Sequence, residues 1–210
     1  MTVRELRPGV YDLTCRDDDR GRYRAFLFDA DVPTLVDTGI PEGRDALLDG
    51  LAETGLDPGR VVLTHADWDH VGGVAAVVDA YDPEVWVPEQ SDVSFAPDRR
   101  YGDGDAVGPF EAVHAPGHTA DSHALVDEDR GVAVLGDAAI GSDRRGLPAG
   151  YLVLPEGEYS DDLVRAEESL ARLLAHEFDA ALVYHGSSVL ADAGEKLDAF
   201  VNFPGKESER

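Results

Sequence analysis

The sequence predicts an α/β (α+β) fold built as an αββα sandwich, in which two β-sheets pack face to face and helices cover both outer surfaces. The prediction rests on the order of elements, because each half of the chain moves from short apolar runs typical of strands to apolar residues at helical spacing. At 210 residues, the chain is long enough for one well-buried domain and too short for two ordinary ones. Residues 1–210 are therefore expected to form a single domain.

The first half of the chain predicts five strands and two helices. The predicted strands are 3–14, 23–30, 34–36, 61–63 and 85–87. The predicted helices are 41–54 and 74–81, and Gly55 ends the first of them. Residues 88–109 have weak periodicity and several Pro and Gly, so we expect a loop there with one helical turn.

The second half predicts four strands and two helices. The predicted strands are 110–115, 124–126, 132–135 and 179–184. One helix is expected over 160–176, with Ser160 as its N-cap and acidic residues in its first turn, and a last amphipathic helix over 190–203. The irregular segment 141–159 is, with 88–109, a candidate substrate-shaping loop.

A short polar run directly after the strand 61–63 contains four potential metal ligands. The run is Thr64-His65-Ala66-Asp67-Trp68-Asp69-His70. These four side chains cannot all lie on one face of a strand or a helix, whereas a turn wrapped around an ion can point all of them inward. The run therefore indicates a metal site, with a solvated acidic turn as the alternative interpretation.

Three further candidate ligands, His118, Asp137 and His185, each follow an apolar run in the second half of the chain. Layered α/β folds gather their sites where strands end at one edge of a sheet. We therefore expect these three residues to lie close to the ligands of the first half. The complete candidate set is His65, Asp67, Asp69, His70, His118, Asp137 and His185.

Three other residues near these runs have weaker claims to a functional role. His114 is interpreted as contacting solvent or the edge of the site rather than binding metal, because its alignment with His118 requires the intervening turn to keep strand geometry. His123 is interpreted as a partly buried structural histidine. Tyr101 is the best substrate-facing candidate in 88–109, although a packed aromatic is the preferred interpretation.

Taken in order, these residues resemble the metallo-β-lactamase superfamily over residues 10–203. The resemblance lies in Asp37-Thr38-Gly39, His65-x-Asp67-x-Asp69-His70, Pro116-Gly117-His118-Thr119, Gly136-Asp137 and His185-Gly186. One position departs from the family pattern, since the usual second histidine of H-x-H-x-D-H is Asp67. The resemblance also implies that Asp37 accepts a hydrogen bond from a ligating imidazole; a plain turn is the alternative.

The resemblance implies a site for two divalent metal ions. The first ion would be held by His65, Asp67 and His118, the second by Asp69, His70 and His185, and Asp137 would bridge the two. Zinc is the expected metal in such a site. The carboxylate of Asp67 favours iron or manganese relative to the usual imidazole, because it adds a negative charge and a hard oxygen.

The implied activity is hydrolysis of a small ester, thioester or lactone by a hydroxide that bridges the metals, with Asp69 as the catalytic residue that orients the water. The expected partner is therefore a small-molecule substrate. Two alternatives remain open. The diiron oxygen- and NO-reducing flavoproteins of the superfamily carry a carboxylate at position 67, which suggests an oxidoreductase with a separate electron donor. A protein that keeps the fold with a degenerate metal site is the other.

The composition limits the partners and the location of the chain. With 43 acidic and 18 basic residues, the chain has a net charge of −25 and lacks the basic surface that nucleic acid requires. No apolar run approaches the roughly 18–20 residues of a membrane span, and Met1–Gly9 does not resemble a signal sequence. A lone cysteine, Cys15, excludes an intrachain disulfide and agrees with a reducing interior. We therefore expect a soluble, cytoplasmic protein.

The large negative charge is itself informative, because self-repulsion on this scale destabilises a compact chain in dilute buffer. Lys196 and Lys206 are the only lysines. An acid-rich, lysine-poor surface is typical of proteins that work in molar salt, where screening suppresses repulsion. The composition therefore predicts a salt-loving source, a halophilic archaeon; an ordinary acidic protein from a G+C-rich genome is the alternative.

Overall fold

A computed structural model describes residues 2–18 and 21–203, and five α-helices lie within them. The helices are α1 Arg44–Thr54, α2 Trp68–Val71, α3 Val74–Tyr81, α4 Leu163–Leu170 and α5 Ala193–Val201. Short 3-10 helices cover Pro41–Gly43, Ser142–Arg145 and Ala171–Ala175. Gly55 ends α1 in the left-handed conformation, at φ 72°, as the sequence predicts.

The first sheet has seven strands, and their order in space follows their order in the sequence. They are β1 Thr2–Arg7, β2 Val10–Asp18, β3 Gly21–Phe28, β4 Thr34–Val36, β5 Arg60–Val62, β6 Glu84–Pro88 and β7 Arg99–Tyr101. Strands β1 to β4 are antiparallel, whereas β4 to β7 are parallel. Because β4 and β5 are parallel neighbours, the segments that follow them, Asp37 and Thr64–His65, leave the sheet at the same edge.

The second sheet has five strands, in the order β14, β11, β10, β9, β8. They are β8 Ala106–Val107, β9 Phe110–His114, β10 His123–Asp127, β11 Val132–Val134 and β14 Ala180–Leu182. Strands β11 and β14 are parallel, so Asp137 and His185 also follow neighbouring strands at one edge. A separate ribbon pairs β12 Ile140–Gly141 with β13 Leu152–Val153.

Three layers of apolar side chains show that the fold is the predicted αββα sandwich. The two sheets pack together through a buried cluster that includes Phe26 and Val62 from the first sheet and Leu125 from the second. A second cluster joins the first sheet to α1 and α3, and a third joins the second sheet to α4 and α5. Each sheet thus buries one face against the other sheet and the opposite face against helices.

Two of the predicted strand and loop assignments are wrong. The run 3–14 is not one strand but β1 and β2, because the chain turns at Pro8-Gly9 and Gly9 adopts φ 71°. The helical turn expected in 88–109 is also wrong, since this segment contains β7 and β8 instead. Residues 89–98 form a loop, as predicted, and the two short edge strands follow it.

The predicted start of the fourth helix is also wrong. Helix α4 begins at Leu163, and its N-cap is Asp162, whose side chain accepts a hydrogen bond from the backbone N–H of Arg165 at 3.0 Å. Ser160 lies outside the helix and is free to contact the candidate metal site. Among the described residues, no helix is long and apolar enough to cross a lipid bilayer.

Candidate metal centre

The structure brings together all seven candidate ligands predicted from the sequence. They form three overlapping groups within the described residues, and the ligand atoms of each group lie within 4.8 Å of one another. The groups are His65–Asp67–His118, His65–His70–Asp137 and Asp69–His70–His185. The segments that follow β5, β9, β11 and β14 therefore meet in one place, together with the short helix α2.

Asp137 lies at the middle of this cluster. Its Oδ2 is 3.6 Å from Nε2 of His70, 3.6 Å from Nε2 of His118 and 3.4 Å from Nε2 of His185. Burial raises the pKa of the Asp137 carboxyl, but the surrounding imidazoles, His185 first, outweigh it and hold the pKa well below its usual range. The carboxylate is thus positioned between groups that come from three different elements.

Gly136 allows the backbone to deliver Asp137 to this position. The residue adopts φ 51°, and a Cβ there would lie 2.6 Å from Oγ1 of Thr64. A side chain would therefore collide with the segment that carries His65, as well as straining the left-handed backbone.

The two ends of the cluster each contain one further carboxylate. Asp67 Oδ2 lies 3.1 Å from Nε2 of His118 and 3.6 Å from Nε2 of His65, and its side chain is 40% exposed. Burial raises the pKa of Asp67, but the hydrogen bond with His118 and the nearby imidazole of His65 lower it below the usual value. At the other end, Asp69 Oδ2 lies 3.4 Å from Nε2 of His185.

The donor atoms fit a divalent metal better than a purely hydrogen-bonded cluster. Nε2 of His65, Nε2 of His70 and Oδ1 of Asp137 are buried and have no hydrogen-bond partner among the described residues, which is costly without a ligand. Two atoms bound about 2.1 Å from one ion at a tetrahedral angle are about 3.4 Å apart. Most of the nitrogen–oxygen separations, at 3.4–3.6 Å, match this spacing and exceed a normal hydrogen bond.

Hydrogen bonds behind the cluster determine which nitrogen of each imidazole faces inward. Asp37 accepts a hydrogen bond from Nδ1 of His70 at 2.8 Å, as the family resemblance implied. The hydroxyl of Thr64 donates to Asp37 Oδ2 at 2.9 Å, so it accepts from Nδ1 of His65 at 3.0 Å. In its neutral form, each of these imidazoles therefore presents an unprotonated Nε2 to the centre, which is the form that binds metal.

Ser160 performs a similar role for His118. Its hydroxyl donates to the carbonyl of Glu156 at 2.8 Å, which leaves its oxygen to accept from Nδ1 of His118 at 3.3 Å. The sequence pattern predicts a helix cap at Ser160 and does not indicate this contact. No local signal identifies it, because Ser160 and His118 are 42 positions apart.

Asp121 is a second contact that the sequence did not reveal. This buried carboxylate accepts hydrogen bonds from the backbone N–H of Ala66 at 3.0 Å and from the hydroxyl of Ser91 at 2.5 Å. It thereby ties the turn between His65 and Asp67 to the segment after β6. Its position three residues after His118 is a weak signal in a chain so rich in acids.

The remaining aromatic and histidine candidates have structural roles in the observed geometry. Tyr101 is fully buried and donates its hydroxyl to the carbonyl of Leu63 at 2.6 Å, so it is a packed aromatic rather than a substrate-facing one. His114 donates from Nε2 to the carbonyl of Ala120 at 2.9 Å. The rings of His114 and His123 pack 4.8 Å apart, and burial lowers the pKa of His123.

Two curated relatives match part of the chain. A lactamase-like protein, aptB, of Emericella nidulans is 30% identical over 138 residues, which are 62% of this chain and 42% of the relative. A hydroxyacylglutathione hydrolase of Chromohalobacter salexigens is 33% identical over 96 residues, which are 44% of this chain and 36% of the relative. The chain thus spans less than half the length of these relatives.

Solved structures share the whole sandwich. A metallo-beta-lactamase family protein of Thermus thermophilus has a TM-score of 0.73 and 22% identity, covering 95% of this chain and 80% of that chain. A protein named TTHA1623, solved in a di-iron-bound form, has a TM-score of 0.65 and 25% identity, covering 88% and 96%. The model of one family, described as the metallo-beta-lactamase superfamily, matches residues 25–191. From its fold, its cluster of candidate ligands and this match over most of its length, the chain belongs to the metallo-β-lactamase superfamily.

Proposed function

We propose that this chain is a metal-dependent hydrolase of a small ester, thioester or lactone. The observation that carries the proposal is the buried carboxylate of Asp137, which lies between imidazoles of two ligand groups. A thioester is supported by the curated relative named hydroxyacylglutathione hydrolase, whose name describes cleavage of an acyl group from a thiol.

The residues present suit two divalent ions. His65, Asp67 and His118 would hold one, Asp69, His70 and His185 would hold the other, and Asp137 would contact both. When bound, the ions would polarise the attacked carbonyl and lower the pKa of a coordinated water toward neutrality.

The protein's own side chains would orient the attacking water. The Asp69 side chain is 14% exposed, so it is not fully sealed from solvent. We assign Asp69 the role of orienting that water by accepting its hydrogen bond. A protein nucleophile is unnecessary, and Cys15 is unsuited to be one because burial raises the pKa of its thiol to about 12.

Zinc is the expected metal, with iron or manganese as the alternatives. Asp67 favours the harder ions because it replaces a neutral imidazole by an anionic oxygen. The likeness to a protein solved in a di-iron-bound form supports this preference. The same carboxylate makes an oxidoreductase that receives electrons from a separate donor the second candidate function.

The proposed function is tested by metal content and substrate turnover of protein purified in high salt without chelator or nickel affinity resin. A panel of ester, thioester, lactone and phosphodiester substrates would be assayed before and after chelation and metal restoration. We expect turnover of an ester, thioester or lactone that chelation abolishes and the metal restores.

Asp69→Ala should abolish that turnover while the protein stays folded, because it removes a proposed ligand and the group that orients water. Asp79→Ala, at an exposed acid on α3, is the matched control and should leave turnover unchanged. Hydrolysis that persists in Asp69→Ala would contradict the mechanism. Metal-dependent oxygen or NO reduction with an added electron donor, in the absence of hydrolysis, would favour the second candidate.

A further inference from the structure

Tyr184 contacts every member of the ligand group Asp69–His70–His185. Its ring stacks on the imidazole of His70, with centroids 3.7 Å apart and an interplanar angle of 30°. Its hydroxyl donates a hydrogen bond to the backbone carbonyl of Asp69, and it precedes His185 in the chain. The sequence pattern indicates only the neighbouring histidine as a site residue.

The hydroxyl of Tyr184 supplies a hydrogen bond to a backbone carbonyl of the short helix α2. A helix of four residues leaves its last carbonyls without intrahelical partners. The N–H of Gly73, which would bond to Asp69 in a continuing helix, donates instead to Oγ1 of Thr38 at 3.1 Å. The phenol of Tyr184 therefore replaces the missing backbone donor and anchors the residue that carries a candidate ligand.

The surroundings of Tyr184 prevent its ring from moving away. The residue is 1% exposed and forms a buried cluster with Tyr23 and Ile40. The ring of Tyr23 meets Tyr184 and His185 edge-on, with centroids 6.3 Å and 5.7 Å away.

We propose that Tyr184 is a positioning residue that sets the metal affinity of the group Asp69–His70–His185 without affecting the group His65–Asp67–His118. Its hydroxyl fixes the backbone of Asp69, and its ring fixes the plane of the His70 imidazole. The inference rests on the proposed metal-dependent function and identifies a supporting contact at the Asp69–His70–His185 end of the centre.

The test compares the parent protein with Tyr184→Phe and Tyr184→Leu. The two successive dissociation constants for Co²⁺ and Zn²⁺ would be measured by competition with a chromophoric chelator, alongside the Co²⁺ absorption spectrum. Tyr184→Phe keeps the stacked ring and loses the hydroxyl, so we expect one ion to bind about 10- to 100-fold more weakly, as for other contacts behind metal ligands. Tyr184→Leu loses the ring as well and should weaken the same ion further.

Two additional variants separate positioning from general stability. Tyr101→Phe removes an equally buried phenol that also donates to a backbone carbonyl, that of Leu63, and should leave the affinity of the affected ion unchanged. In a His185→Ala background, Tyr184→Phe should have no effect on the remaining ion, because the group through which it acts is already disrupted.

The possible results distinguish this inference from the proposed function. Two parent ions with unchanged affinities in Tyr184→Phe, or equal weakening of both ions, would overturn the positioning role alone. A parent protein that binds no divalent ion would overturn the proposed function together with this inference. We expect Tyr184→Phe to weaken the binding of one ion only. In the His185→Ala background, the same substitution should have no effect on the remaining ion.

Discussion

The carboxylate of Asp37 accepts hydrogen bonds from Nδ1 of His70 at 2.8 Å and from the hydroxyl of Thr64 at 2.9 Å. Thr64 in turn contacts Nδ1 of His65 at 3.0 Å. One buried carboxylate at the end of β4 therefore orients two imidazoles that follow β5. The parallel pairing of β4 with β5 makes this possible, because it brings the ends of the two strands to the same edge.

Asp37→Asn should weaken metal binding while preserving the fold. Asp37 adopts φ 58°, a left-handed conformation that Asn also tolerates, so the backbone need not change. The amide has one acceptor oxygen instead of two and carries no charge, so it supports the two imidazoles less well. We expect about 10- to 100-fold weaker metal binding in a chelator competition assay.

Asp82→Asn provides the control for this substitution. Asp82 also has a positive φ, 50°, but it is exposed at the end of α3. The control should bind metal as the parent does. Equal affinities in the parent and Asp37→Asn would show that Asp37 does not orient the ligands.

The sequence predicted the layered fold because the buried strands are short β-branched runs and each candidate ligand directly follows such a run or the turn after it. Val61–Leu63 before His65 and Val132–Leu135 before Asp137 are examples. The parallel edges then determine that these side chains meet. Helix α1 and its glycine C-cap could also be predicted, because apolar periodicity and a glycine cap are local properties of the sequence.

The contacts behind the ligands could not be predicted from the sequence, because they join residues that are distant in the chain. Tyr184 and Asp69 are 115 positions apart, and Ser160 and His118 are 42 apart. Such pairs depend on how loops pack across the edge of the sandwich. The strands β7 and β8 were missed for another reason: they are only three and two residues long and lie among Pro and Gly.

Cys15 should resist thiol reagents in the native protein. Burial raises the pKa of its thiol from 9.0 to about 12, and the side chain packs in the core beside Leu13. At pH 8 the thiolate is therefore scarce and sheltered. We expect labelling by a thiol reagent to follow global unfolding in a denaturant series; rapid labelling without denaturant would contradict the buried position.

The raised pKa of the Cys15 thiol also predicts that the folded protein is less stable at alkaline pH. The folded thiol holds its proton more tightly than the unfolded one, so its contribution to the free energy of unfolding is fully present below about pH 9 and is lost as pH rises toward 12. Cys15→Ser should reduce the part of the alkaline destabilisation that comes from this group, measured by urea unfolding at pH 8 and pH 10. Identical pH dependence in both proteins would rule out this contribution.

Salt should stabilise the protein, because 43 acids face only 18 bases. At 1 M salt the Debye length falls to about 3 Å, so repulsion between exposed carboxylates is nearly eliminated. We expect the melting temperature to rise steeply between low salt and about 2 M KCl. A melting temperature independent of salt would remove the inference of a salt-loving source.

A single helix provides a local version of this test. Asp45, Asp49 and Glu53 are exposed on α1 at spacings of four residues, where like charges repel. Asp49→Asn should raise the melting temperature at low salt and reduce its dependence on KCl. An unchanged salt dependence would show that the stripe of acids on α1 contributes little to the repulsion.

Asp67 decides between a two-ion centre and a single-ion one. Its carboxylate contacts His118 at 3.1 Å and His65 at 3.6 Å, so Asp67→Ala should lose about one ion per chain or bind it far more weakly than the 10- to 100-fold loss typical of contacts behind ligands. Asp67→His should restore binding and shift the preference toward zinc, because a neutral, softer imidazole replaces a hard anion. Stoichiometry and affinity would be measured after identical reconstitution of all three proteins. If the parent and Asp67→Ala bind the same number of ions with the same affinity, Asp67 is not a metal ligand and interacts only with the neighbouring imidazoles.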